Sequence, residues 1–352
     1  MSDKLIKVGI SQGDINGVSY ELIIKTFEDV GIFEFCIPVL YGSTKALAYH
    51  RKAMELPSVN VNVIRHAGEA GINRLNIVNC GNEELAVDFS QTNPEAESLA
   101  EQSLQKALSD LKAGLIDVLV LAPSNVDETR ILSEQLGHTP LKILIHNSFR
   151  VALASDKIPL ANVSSQLSIN MLVDKIKALH ASLIRDFTVT FPRIAVLSFN
   201  PGMGIRERKE GREEAEIIIP AIKAADESRI VCFGPYAGDE FFACGDFAKF
   251  DAVLALYHDQ GAIPFRSISF DEGVCYFAGL PFVAAAPGHG VSYGKAGRNE
   301  SSEMSFRNAL YLAIDVFQNR KLDKEIHANP LKKQYFEKGS DNEKLDLTKD
   351  EE

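Results

Sequence analysis

The chain lacks most of the features that would take it out of ordinary soluble metabolism. Its five cysteines, Cys36, Cys80, Cys232, Cys244 and Cys275, include no CxxC pair. That spacing argues against a thiolate zinc cage and a disulfide framework, and fits a reducing cytoplasm. No apolar run is long enough to span a bilayer, and Met1-Ser2-Asp3-Lys4 opens no apolar signal core, so neither export nor membrane insertion is expected. Cations are in the minority, with 37 Lys and Arg against 48 Asp and Glu and a net charge of -11. Such a balance disfavours nucleic acid or an anionic membrane as partner and favours a small metabolite or another protein. Internal repeats, low-complexity blocks and a GxGxxG fingerprint are all missing.

What is present is a chain of 352 residues, 45% hydrophobic and 24% charged, enough for two domains or one elaborate α/β domain. Strand-length apolar runs at 6–11, 35–41, 61–64, 118–122, 151–154, 194–199 and 252–257 alternate with amphipathic stretches at 20–27, 44–54, 95–113, 168–186, 213–225 and 302–319. That alternation predicts a mostly parallel sheet covered by helices. Residues 331–352 are dense in charge and predict a mobile acidic tail.

The most informative stretch is Tyr257-His258-Asp259-Gln260-Gly261, which follows the apolar run 250–256. Ligands gather where strands end in open α/β sheets, and a His-Asp pair there can bind a metal or move a proton. The first turn, Gln12-Gly13-Asp14-Ile15-Asn16-Gly17, leaves a strand for a helix, and a ligand loop and a plain glycine turn fit it equally. Asn200-Pro201-Gly202 follows another strand and leads into Arg206, Arg208, Lys209 and Arg212, a basic loop that is either solvated or anion-binding. Glycine-bearing turns around Gly273, Gly279 and Pro287-Gly288-His289-Gly290 suggest a nucleotide pocket, although ordinary turns use the same residues.

Gly13-Asp14 with Gly17, Asn200-Pro201, Asp239, the Tyr257 to Gly261 stretch, Gly279-Leu280-Pro281 and His289-Gly290 resemble, in order and approximate spacing, the motifs of the 4-hydroxythreonine-4-phosphate dehydrogenases, the PdxA family of pyridoxal phosphate biosynthesis. The likeness runs from about Ile6 to about Asn319. It implies an isocitrate-dehydrogenase-like fold of two α/β/α domains with a mostly parallel sheet and a cleft between them. Residues 1–125 plus 285–330 would form a discontinuous first domain, and 126–284 a second domain with dimer contacts. It also implies a homodimer, NAD, and a divalent metal, commonly zinc, held by three histidines. In that family a small phosphorylated hydroxy amino acid, 4-phosphohydroxythreonine, is oxidised and decarboxylated to 3-amino-2-oxopropyl phosphate, the metal polarising the hydroxyl while hydride leaves to NAD.

Carried over residue by residue, the resemblance assigns catalysis to His258, Asp259 and Asp239, with Lys157 as a further catalytic candidate, and cofactor contact to Gly13, Asp14, Gly279 and His289. Of the three metal ligands only His258 carries over; Lys157, in Asp156-Lys157-Ile158-Pro159, and Gly202 stand at the other two positions. One imidazole does not make a three-ligand catalytic site. Where the family presents lysine, asparagine and arginine to the substrate, this chain has Arg266, Cys275 and Ala284, and losing a bidentate arginine costs on the order of 2 kcal/mol. Gly137-His138-Thr139 is either the family's substrate-binding motif displaced or a chance match. Lys157 is expected either to pair with Asp239 or Asp259 in place of the metal charge, or to point into solvent. Two functions stay open: an oxidoreductase with a rebuilt site, and a non-catalytic paralogue that binds a ligand or forms a heterodimer with an active homologue.

Overall fold

The computed structural model describes residues 5–81, 86–137, 139–204, 206 and 210–328. The acidic segment 331–352, His138, Arg208 and Lys209 lie outside them. The elements run β1 (Ile6–Ser11), α1 (Ser19–Glu28), β2 (Cys36–Gly42), α2 (Thr44–Ala53), β3 (Val61–Ile64), β4 (Leu75–Asn79), α3 (Pro94–Lys112), β5 (Val118–Leu121), α4 (Glu128–Leu136), β6 (Leu141–His146), β7 (Phe149–Leu153), α5 (Leu160–Gln166), α6 (Ile169–Arg185), β8 (Ile194–Leu197), α7 (Ile219–Glu227), β9 (Cys232–Tyr236), α8 (Gly238–Ala243), β10 (Ala252–Ala255), α9 (His258–Ser269), β11 (Val274–Ala278), β12 (Val283–Pro287) and α10 (Met304–Ala328).

Local chemistry explains the main helices. Asn93 caps α3 by accepting a hydrogen bond from the Glu95 amide, Pro94 opens it, and acidic Glu95 and Glu97 fill its first turn, all suited to a helix N-terminus. Ala96, Leu99, Ala100, Leu104, Ala107, Leu108 and Leu111 then recur at three- and four-residue spacing and are buried. Ser168 caps α6 in the same way, ahead of buried Leu172, Ile176, Leu179 and Leu183.

Among the described residues the strands form one twelve-stranded sheet in the order β3-β4-β2-β1-β5-β12-β11-β6-β7-β10-β8-β9. The flanks are parallel throughout, whereas β12, β11, β6 and β7 pair antiparallel in succession. This antiparallel centre joins two parallel arrays. A buried ion pair fastens its underside: Arg320 of α10 donates to Asp186 at 2.7 and 3.2 Å, and Tyr276 of β11 donates its hydroxyl to the same carboxylate at 2.8 Å. Burial opposes ionisation of Asp186, but Arg320 and Arg185 outweigh it and hold this carboxyl below the usual range. No described helix is long and apolar enough to cross a membrane.

Differences from the sequence-based elements fall at the antiparallel centre and on both flanks of the sheet. The run expected at 252–257 ends at Ala255, and His258 opens α9. The helix expected at 213–225 opens with a π-helical turn, Glu214–Ile218, before α7. Strands β4, β6, β9, β11 and β12 and helices α4, α5, α8 and α9 were not anticipated.

Candidate active site

Each residue of the central motif has its own task. Tyr257 is extended and precedes the first turn of α9, its ring packing edge-on to Phe199 at 6.1 Å. Gln260 accepts from the Leu256 amide at 2.8 Å and donates to the Ser198 carbonyl at 2.7 Å, stapling the ends of β10 and β8. Gly261 lies flat on the sheet, where a Cβ would come within 2.8 to 2.9 Å of Val151, Leu153 and Ala255, so only glycine lets α9 approach this closely. The helix end thus fixed presents His258 and Asp259.

His258 Nδ1 lies 2.7 Å from Asp259 Oδ1. An ionised carboxylate only accepts, so the shared proton belongs on Nδ1 and Nε2 is left as the free ring nitrogen. The two side chains nevertheless line different cavities. His258 lines a pocket with Glu128, Lys142, Asp156, Lys157, Arg266, Cys275 and His289. Asp259 lines a second, more open groove with Asp239, Asn200, Pro201, Tyr257, Gln260 and Ile263.

The floor of the first pocket is one face of the antiparallel centre. Cys275 is registered against both Leu144 and Ala286, and Lys142 against Phe277. Alternation puts Lys142 and Leu144 on the same side. Ala284 shares the face of Ala286, is fully buried and packs with Phe277, while the Lys142 ammonium lies 5.8 Å from the Phe277 ring centre. Lys142 also pairs with Asp156 at 2.7 Å, and Thr129 donates to that carboxylate at 3.1 Å. Burial would raise the Asp156 pKa, but Lys142 and these hydrogen bonds hold it below the ordinary value. Glu128, in the first turn of α4, behaves oppositely: burial outweighs Lys142, Lys157 and the Ser124 hydroxyl, and pushes its carboxyl up to about 7. Burial also raises the Cys275 thiol to about 12 and lowers the His289 imidazole, so at neutral pH both are uncharged.

The structure therefore gathers five residues singled out in the sequence, His258, Lys157, Arg266, Cys275 and His289, and adds Glu128, Lys142 and Asp156, to which the sequence assigned no role. Asp239 stands apart in the groove, and Lys157 makes no ion pair with Asp239 or Asp259 among the described contacts; it faces Glu128 and Cys275 instead. Gly279 is a left-handed turn residue beyond the end of β11 that is remote from Cys275. Thr139 lines a neighbouring cavity that shares Lys142 and Asp156 with the first pocket, and Gly137 ends α4 in the left-handed conformation. Gly202 is exposed at φ 63° with open space around it. The basic loop is partly neutralised, with Arg206 paired to Asp246 and Arg212 to Glu216.

Gly13 and Asp14 are enclosed rather than open. A Cβ on Gly13, at φ 66°, would overlap the Pro123 carbonyl oxygen. Asp14 is fully buried and accepts from the Asn16 amide at 2.8 Å and from the Tyr293 hydroxyl at 2.6 Å. The backbone after β12 is different: Gly290 and Gly294 have nothing within 4 Å of where a Cβ would stand.

Against this geometry, the family model described as pyridoxal phosphate biosynthetic protein PdxA matches residues 34–313. A 4-hydroxythreonine-4-phosphate dehydrogenase of Bacteroides thetaiotaomicron is 45% identical, covering 99% of this chain and 98% of that one. The chain belongs to the PdxA family. The crystal structure of a Klebsiella pneumoniae 4-hydroxythreonine-4-phosphate dehydrogenase superposes with a TM-score of 0.75 at 24% identity, over 90% of this chain and 99% of that one. An isocitrate dehydrogenase of Methylococcus capsulatus superposes with a TM-score of 0.50 at 10% identity, over 92% and 89%. The PdxA fold and its isocitrate-dehydrogenase-like architecture are thus those expected. The three-ligand metal set is a different matter, since among the described residues no three His, Cys, Asp or Glu side chains converge as a metal-holding group. In this PdxA chain His258 shares its pocket with Lys157, and a basic side chain there repels a cation.

Proposed function

We propose that this chain is an oxidoreductase acting on a small phosphorylated hydroxy amino acid of the 4-phosphohydroxythreonine type, with NAD, in a pocket that works without a three-histidine metal centre. The observation that carries the reading is the convergence of Lys142, Lys157 and Arg266 with His258 and Glu128 on one pocket. Fixed cations hold and orient an anionic substrate. His258, with Nδ1 tied to Asp259, offers Nε2 to a substrate hydroxyl, and proton removal there is general-base chemistry. NAD supplies a hydride acceptor when bound, and the open backbone at Gly290 and Gly294, beside His289, offers the close approach that a dinucleotide needs. A homodimer is part of this reading.

The test follows NADH absorbance on mixing the purified protein with NAD and 4-phosphohydroxythreonine, with and without chelator, with a His258→Ala control. NADH formation that survives chelation and disappears in the variant is the expected result. Turnover that requires added zinc would overturn the metal-free part.

A second reading rests on the missing metal group among the described residues: a non-catalytic paralogue that binds a ligand or pairs with an active homologue. No turnover from a folded protein that still binds the substrate would establish it.

A further inference from the structure

We propose that Lys142, Lys157 and Arg266 form a metal-independent binding site for a phosphate or carboxylate group, and that Glu128 takes up a proton when that group docks. The inference rests on reading this pocket as the ligand site, but not on any turnover there.

The charge balance of the pocket is the first support. Its lining carries three basic side chains, Lys142, Lys157 and Arg266, against two carboxylates, Asp156 and Glu128. Asp156 is committed to Lys142 at 2.7 Å and stays ionised. Lys157 has no ion pair among the described contacts, and its charge is felt by Glu128 and Cys275 across the pocket. The site therefore has a cationic surplus, which grows when Glu128 is protonated.

Position is the second. Lys142 projects from the sheet face that also carries Ala284 and Ala286, so the floor holds a cation on β6 and none on β12. Lys157 enters from the segment after β7, and Arg266 from α9. Three separate elements thus aim positive charge at one volume, an arrangement that a solvated charge run along a single helix would not give.

Glu128 is the part that moves a proton. It faces Lys142 on β6, Asp156 and Lys157 beyond β7, and Cys275 on β11, while His258, Arg266 and His289 complete the wall. Cys275 and His289 are neutral there, so they do not offset an added negative charge. The Glu128 carboxyl, poised at about 7, is half ionised near neutral pH. An incoming oxyanion repels its carboxylate and favours its acid form, so where Glu128 is ionised a proton moves from solvent to a Glu128 oxygen and no bond in the ligand changes. Binding is then tighter below pH 7 than above it.

Calorimetric titration of the chelator-treated full chain with sulfate, and separately with acetate, tests this, because both probes stay fully ionised across the range used. The measurement is made at about pH 6.5 and about pH 8, in two buffers of different ionisation enthalpy. Expected are metal-free binding at least about threefold tighter at the lower pH, and an apparent enthalpy that changes with buffer as proton uptake requires. Sulfate binding tighter than acetate marks the site as phosphate-directed, and the reverse order marks it as carboxylate-directed. Lys157→Met should weaken binding about tenfold, whereas Glu128→Gln should retain binding and lose both the pH dependence and the buffer dependence. Circular dichroism confirms that each variant is folded. Absence of binding to the chelated wild type, equal binding by Lys157→Met, or an unchanged pH dependence in Glu128→Gln would overturn the inference. NADH formation is measured separately, so a failed dehydrogenase assay leaves this result standing or falling on its own.

Discussion

The first glycine turn and the central pocket are built from similar polar residues and end in opposite electrostatic states. In the turn, Gln12, Asp14 and Asn16 are completely buried and every one is matched. Gln12 donates to the Leu99 carbonyl and accepts from Tyr20, Asp14 accepts from Asn16 and Tyr293, and Asn16 donates to Gln91 and accepts from Asp88. In the pocket, Glu128 is pushed up to about 7 and Lys157 has no ion pair among the described contacts. Buried polar groups that are fully satisfied hold a fold together, and those left unbalanced are available for chemistry. The glycines drew attention to both regions, yet only the charge balance separates them.

The largest expected effect falls on the turn. Gly13→Ala forces a side chain onto the Pro123 carbonyl at a left-handed φ, and should lower unfolding free energy by about 3 kcal/mol or more in denaturant titration. A change below about 0.5 kcal/mol would mean that the turn is not the structural partner in the comparison. Asp14→Ala strands the Tyr293 hydroxyl and the Asn16 amide and should cost about 1–3 kcal/mol.

The pocket should respond with the opposite sign. Glu128 has a folded pKa above that of the unfolded chain, so its ionisation costs stability progressively as pH rises from about 4 to about 7, and by a constant amount beyond. Glu128→Gln should therefore stabilise the protein by about 1–3 kcal/mol above pH 7 and change little below about pH 4, as read from melts across that range. Identical pH profiles for variant and wild type would remove Glu128 from the account. The smallest effect is reserved for the groove: Asp239→Asn should alter sulfate binding less than about twofold, since Asp239 lines a separate cavity.

Much of this was legible in the sequence, for reasons that also mark where legibility ended. Strands β1, β2, β3 and β5 and helices α1, α2, α3 and α6 announce themselves by apolar periodicity, and α2, α3 and α6 by a capping side chain as well. The pocket floor does not. β11 and β12 are short, alanine-bearing and set between Gly273, Gly279 and Pro287, so they read as turns. α9 carries Gly261 and Pro264 in its interior, residues that normally argue against a helix. Lys142 was invisible because β6 was not recognised, and its role depends on register with β11. Glu128 had a readable signal, since Asp127 caps α4 directly before it, and an acidic first turn after Asp is a helix start. His258, Lys157, Arg266 and His289 were singled out from motif position alone, and they line one pocket. That Asp259 faces the other cavity follows from the helical turn at His258, and Asp239 reaches that cavity from α8; no spacing in the sequence states either.

A crystal structure of the chelator-treated protein with 4-phosphohydroxythreonine tests the central claim most directly. The account predicts the phosphate or carboxylate of the ligand within about 3 Å of the Lys142, Lys157 and Arg266 side chains, its hydroxyl toward His258 Nε2, and no metal peak. A metal bound at His258, or the ligand seated in the Asp239 groove with the Lys157 pocket empty, would contradict it.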